Sequence, residues 1–184
     1  MPATMRSIKD FKGSAMAWVQ PRALERQYEL RSGQELFATL TWVKVFGSLA
    51  EVQTSDGRFT LKRGGFLRPY VTIRDTAMEN DLAILKIGMF RHGTLEFTNG
   101  KRISLVSGRF WGFEWEFVDE NGQKLCSMRM KTQMMKYSAE VTLFEPLRKD
   151  SDLMVMLLVG WYTMVLMSEE AAATAVASTS ATRM

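Results

Sequence analysis

From about residue 14 to residue 144, apolar and polar residues alternate with a period of two, and turn residues break the alternation every eight to twelve positions. The clearest stretch is Phe113-Glu114-Trp115-Glu116-Phe117, with three aromatics on one face and two carboxylates on the other. Successive side chains of a strand point to opposite faces, so such a segment is buried on one side and wet on the other. Phe59/Leu61, Val71/Ile73, Leu85/Ile87, Leu95/Phe97, Met128/Met130 and Val141/Leu143 repeat the pattern more briefly. Between them stand Ser32-Gly33, Asp56-Gly57, Arg91-His92-Gly93, Asn99-Gly100 and Asn121-Gly122. Asn-Gly and Asp-Gly are strong hairpin signals, because a type I′ turn needs positive φ at both central residues. Strands are expected near 14–19, 26–31, 35–45, 48–54, 57–63, 69–75, 82–89, 93–98, 101–107, 112–118, 123–131 and 137–144.

Twelve strands with hairpin-length links, and no helix long enough for a crossover, describe an antiparallel meander. Each strand is apolar on one face only, and a flat sheet would leave two open edges. Closure into a barrel removes both. A barrel of that size is too wide for its own side chains to fill. The filler is Leu153 to Met167, apolar on every side and preceded by Asp150-Ser151-Asp152 as candidate N-caps. Its fifteen residues would span roughly 22 Å, against ~30 Å for the hydrocarbon core of a bilayer. A core helix is therefore preferred to a membrane span. Extending it through Ala171–Ala177 would place Glu169 and Glu170 inside the bilayer, which is costly. The expected architecture is all-β with one central helix: a closed antiparallel barrel over residues 14–168 around a helix at 153–167. Residues 1–13 read as a flexible lead, and 169–184 as a frayed Ala/Ser/Thr-rich tail.

This layout resembles the tubby C-terminal-like superfamily, which includes tubby domains, phospholipid scramblases and LURP-one-related proteins. Three segments echo it locally: Thr54-Ser55-Asp56-Gly57-Arg58-Phe59, Gly108-Arg109-Phe110-Trp111-Gly112 with the Trp115 strand, and Leu157-Leu158-Val159-Gly160-Trp161-Tyr162. The small LURP-one-related and scramblase-like members are the nearest in plan. These are packing and turn residues, so the resemblance implies a fold more than an activity. Scramblases carry a Pro-rich lead, a cysteine cluster and an acidic calcium-binding segment. This chain has four prolines, one cysteine and no Asp-x-Asp-x-Asp run, so scrambling and calcium dependence are not implied. Tubby domains bind phosphoinositides through basic surface residues, but no local motif transfers those positions here.

No catalytic or metal motif emerges. His92, the only histidine, sits between Arg91 and Gly93 in an expected turn. One imidazole without cysteines leaves only carboxylates as metal partners. Cys126, the single cysteine, falls on the inward face with Met128 and Met130 and is expected to act as a small hydrophobe. Glu114 and Glu116 have a spacing a carboxylate pair could use, but alternation places them on the wet face. Gly64-Gly65 lacks the ending of a phosphate loop and reads as a turn or bulge before Pro69. The fourteen methionines read as adaptable packing. The single cysteine, and an N-terminus with Arg6, Lys9, Asp10 and Lys12 ahead of no apolar run, favour a cytoplasmic protein.

What remains is charge. The net value of +4 is too small for a dedicated nucleic-acid binder. Yet Arg58, Lys62, Arg63, Arg68 and Arg74 cluster around the fifth and sixth strands. A cation near an anionic membrane surface is worth ~1 kcal/mol. The expectation is a non-enzymatic domain without cofactor that meets anionic lipid headgroups peripherally through Lys62, Arg63, Arg68 and Arg74. The alternative is an intracellular, stress-associated scaffold that binds a protein and no lipid. A hydrolase working from a barrel-mouth pocket and a tail-anchored membrane protein are the other readings.

Overall fold

The structure, a computed structural model, describes residues 4–88, 92–107, 114–133, 135–144 and 152–181. Twelve strands close into one antiparallel barrel: β1 (Ala15–Val19), β2 (Gln27–Ser32), β3 (Glu35–Trp42), β4 (Ala50–Thr54), β5 (Arg58–Gly64) and β6 (Tyr70–Asp75), then β7 (Asn80–Ile87), β8 (Gly93–Phe97), β9 (Arg102–Ser107), β10 (Glu114–Val118), β11 (Lys124–Gln133) and β12 (Lys136–Leu143). Each pairs with its sequence neighbours, and β1 closes the ring on β12 through Met16↔Val141 and Trp18↔Ala139. No strand edge is left open to another chain. Gly100 and Gly122, in two of the expected turns, take φ of 88° and 77°.

Alternation decides which side chains enter the lumen. Trp18, Leu30, Leu40, Leu61, Ile73, Leu85, Leu95, Phe117 and Met128 are all fully buried, one from each of nine strands. The helix α1 (Leu153–Ala181) runs up the lumen, and every residue from Leu153 to Leu166 is buried. Thr163, polar but enclosed, donates its hydroxyl to the Val159 carbonyl at 2.7 Å. The upper core is aromatic. Trp18 stacks on Trp161 with centroids 5.8 Å apart, Tyr28 meets Trp161 edge-on at 5.3 Å, and Trp42 stacks on Tyr162 at 5.3 Å. Such pairs add ~0.5–1.5 kcal/mol each beyond burial. Against this, the indole N–H groups of Trp18, Trp42, Trp115 and Trp161 are buried with no acceptor among the described residues, a cost that dry aromatic packing must offset.

Three expectations need correction. The helix does not stop at Ser168-Glu169-Glu170 but covers 29 residues to Ala181. Glu and Ala are good helix formers, no Gly or Pro follows Met167 within the helix, and both glutamates are held by cations of the barrel rim. The third strand ends at Trp42 rather than 45, for reasons given below. The N-terminal lead is docked, not loose: a 3-10 turn at Ile8–Asp10 buries Ile8, and Phe11 packs edge-on against Phe37 at 5.3 Å. The Arg6 amide donates to the Leu36 carbonyl at 2.8 Å, and Ser7 donates to Asp56 at 3.0 Å. Some expected features lie outside the described residues: Asp150 and Ser151 as caps, Arg91, the Gly108–Gly112 segment and the last three residues. Asp152 is described; its carbonyl accepts from the Met156 amide, and its carboxylate accepts from Lys101 Nζ at 3.1 Å.

The barrel has two unlike ends. The β2–β3, β4–β5, β6–β7, β8–β9 and β10–β11 turns surround the end where α1 begins, and the docked lead lies there too. The β1–β2, β3–β4, β5–β6 and β11–β12 loops surround the other end, where α1 leaves and residues 171–175 stand exposed.

Candidate functional site

The five cations of the cluster do not form one patch. Arg58, Lys62 and Arg74 share the outer wall. Thr60 faces Arg74 across the β5–β6 pair and Lys62 faces Thr72, so Arg74 is a diagonal neighbour of both Arg58 and Lys62. Arg74 is already engaged, donating to Asp81 at 3.0 Å. Glu51, opposite Thr60 on the other side, adds a carboxylate to this wall. Arg63 is the clear departure from expectation. It shares the inward register of Leu61, its guanidinium pairs with Glu170 of α1, and its amide donates to the Tyr162 hydroxyl at 3.0 Å. It is a rim residue that grips the helix. Arg68 stands exposed in the β5–β6 loop.

The β5–β6 loop is shaped by Gly65, whose φ is +74° and where a Cβ would lie 2.2 Å from the Arg68 carbonyl oxygen. Only glycine fits that turn. The turn lifts Phe66, Leu67 and Arg68 out together; Phe66 is 98% and Leu67 88% exposed. The β3–β4 loop does likewise with Val43, Lys44, Val45 and Phe46, where Phe46 is 94% exposed. Arg26 explains why β3 stops. Its guanidinium donates to the carbonyls of Lys44, Val45 and Gly47 at 3.0–3.3 Å, diverting them from a strand ladder. The same guanidinium makes a bidentate pair with Glu169, at 3.0 and 2.7 Å, and lies 4.6 Å over the Trp42 ring. Tyr162 donates its hydroxyl to the Ser48 carbonyl. One arginine and one tyrosine thus tie the β3–β4 loop to the emerging helix.

The other candidates from the sequence are placed as follows. Cys126 is fully enclosed, and burial pushes its thiol up to about 12, far from thiolate reactivity. Glu114 and Glu116 lie on the outer face as expected, paired with Arg129 at 3.0 Å and Lys124 at 2.6 Å. Gly64-Gly65 is the turn just described. Among the described residues no three His, Cys, Asp or Glu side chains gather as metal ligands. His92 is exposed at the edge of a broad outer cleft of about 1320 Å³, lined also by Arg68, Tyr70, Lys86 and Ser104. Lys86 there is neutralised by Glu96 at 2.5 Å. The cleft is open to solvent, and no nucleophile and base meet in it among the described residues.

Comparison with protein-family models, with curated proteins and with solved structures returns no match to this chain. Function must therefore be read from the residues. Those the sequence reading passed over are Lys44, Phe46, Phe66 and Leu67. The signal was present: both loops set large apolar residues beside one cation where the opposite end uses Asp-Gly and Asn-Gly. Extending the third strand to 45 absorbed Val43 and Val45 into a ladder they do not join.

Proposed function

We propose that this barrel is a non-enzymatic binding domain for anionic lipid headgroups, with Lys62 and Arg68 as its principal cations. The observation that carries this reading is a contrast in pairing. Around the barrel, strand cations are matched by neighbouring acids: Arg31 by Glu29, Arg74 by Asp81, Lys86 by Glu96, Lys124 by Glu116, Arg129 by Glu114 and Lys131 by Glu140. Arg58, Lys62 and Arg68 have no such partner among the described residues. Charges with no acid beside them are available to an external anion. Arg63 and Arg74, already committed to Glu170 and Asp81, contribute less.

Vesicle co-sedimentation tests the proposal, with phosphatidylcholine alone and with added phosphatidylserine. Binding is expected only with the anionic vesicles and is expected to weaken with salt. Loss of Lys62 or of Arg68 should each cost about 5-fold in affinity, from ~1 kcal/mol per charge near the surface. Lys62→Glu with Arg68→Glu should remove most binding, whereas Arg74→Gln should remove little. Binding unaffected by the double reversal would end this reading. A chain that ignores both vesicle types while capturing a protein would favour the scaffold alternative.

A further inference from the structure

Among the described residues, the exposed large apolar side chains are not scattered. Leu24 lies in the β1–β2 loop; Val43, Val45, Phe46 and Leu49 in β3–β4; Phe66 and Leu67 in β5–β6; and Met135 in the β11–β12 turn. All four connections surround the end where α1 leaves. At the opposite end the corresponding exposed large hydrophobic residue among the described ones is Met78. Two of these side chains are also held out at a conformational cost. Leu24 and Met135 adopt φ of 67° and 65°, the left-handed region that disfavours residues with a Cβ.

Charge selects the partner. The segments 43–46 and 66–68 each combine apolar residues with one cation, Lys44 or Arg68, and contain no acid. The acids nearby, Glu25, Glu169 and Glu170, are engaged by Arg22, Arg26 and Arg63. From the centre of the same end α1 projects, and its residues 171–181 carry no charge. A protein partner would have to match loops from four hairpins and a protruding helix. A fluid anionic bilayer matches them without shape complementarity, taking apolar tips below the headgroups and cations among them.

We infer that the helix-exit end of the barrel docks on an anionic bilayer, with Phe46, Phe66 and Leu67 inserted and Lys44 and Arg68 at the headgroups. The inference rests on the anionic-lipid reading above and adds to it an orientation and an apolar anchor. In this pose Arg58, four residues farther down the wall than Lys62, is ~10 Å more distant from the membrane once the strand tilt is allowed for.

The test uses the full chain in flotation with phosphatidylcholine vesicles, with and without phosphatidylserine. Phe46→Ser, Phe66→Ser and Leu67→Ser combined should weaken binding to the anionic vesicles at least about 10-fold, with circular dichroism and melting unchanged because all three side chains are exposed. Arg58→Glu should bind as wild type. Phe66→Trp should be quenched by lipids brominated on their acyl chains. If the triple variant binds as wild type while Lys62→Glu with Arg68→Glu does not, insertion is wrong and the headgroup reading stands. Loss of binding on Arg58→Glu alone would mean that the wall, not the end, faces the membrane. If wild type ignores anionic vesicles, both readings fall. If it self-associates without vesicles and the triple variant abolishes this, the occupant is a second copy of the chain, and the inference is overturned.

Discussion

At Gly160 the helix α1 lies close against the side chains of β10 and β11. A methyl group there would lie 2.0 Å from the Met128 Cε and 2.9 Å from the Phe117 ring. The Met128 methyl is the end of a flexible chain and can swing away; the Phe117 ring has less room. Gly160→Ala gains helix propensity of about 1 kcal/mol, which offsets that adjustment, so its unfolding free energy should stay within about 1 kcal/mol of wild type. Gly160→Leu has no such escape and should lose at least ~1–3 kcal/mol in denaturant unfolding. A neutral leucine would contradict a filled lumen. Titratable residues make a second prediction. Burial pushes Cys126 and Tyr162 each up to about 12, and burial followed by the Glu169 charge raises Tyr28. The unfolded chain releases these protons near the ordinary values of 9.0 and 10.0, before the folded one does. The three groups therefore contribute their full stability below about pH 9 and lose it as pH climbs towards 12. A melting temperature constant across that alkaline range would contradict their burial.

At the scale of elements, strands and helix were legible because a single rule governs each. A segment with one apolar face alternates, as at Trp115 and Phe117, and a segment without a polar face, as at Leu153–Leu166, must be enclosed. The end of α1 was not legible, because Glu169 and Glu170 read as a stop until the tertiary fold supplies Arg26 and Arg63. The same holds for the β3–β4 loop, which is fixed by an arginine 143 residues from its helix partner. Arg26→Ala should therefore destabilise by about 2–4 kcal/mol, since it strands the half-buried Glu169 and three carbonyls at once. Arg26→Lys should recover little, because a point charge cannot serve the bidentate pair and the carbonyls together. Thermal unfolding of the two variants decides this; an Arg26→Ala protein as stable as wild type would show the latch to be ornamental to the fold.

For the whole molecule, closure leaves no strand edge, and α1 fills the lumen with buried side chains from Leu153 to Leu166. The helix is long and apolar enough to cross a membrane by length and composition, but 78% of that window is buried in the barrel. Spanning would require the barrel to empty. The polar end is capped by the docked lead, whereas the other offers apolar tips and unmatched cations around a projecting helix. The basic cluster was visible in the sequence as a run of residue types. Its division into a gripping Arg63, a paired Arg74 and available Lys62 and Arg68 was not, because pairing depends on cross-strand register and on α1. Amide hydrogen exchange with and without phosphatidylserine vesicles tests the account most directly. Slowed exchange at 43–49 and 65–69, with 55–57, 76–79 and 98–101 unchanged, is the predicted result. Protection at the turns of the opposite end, or at neither, would contradict it.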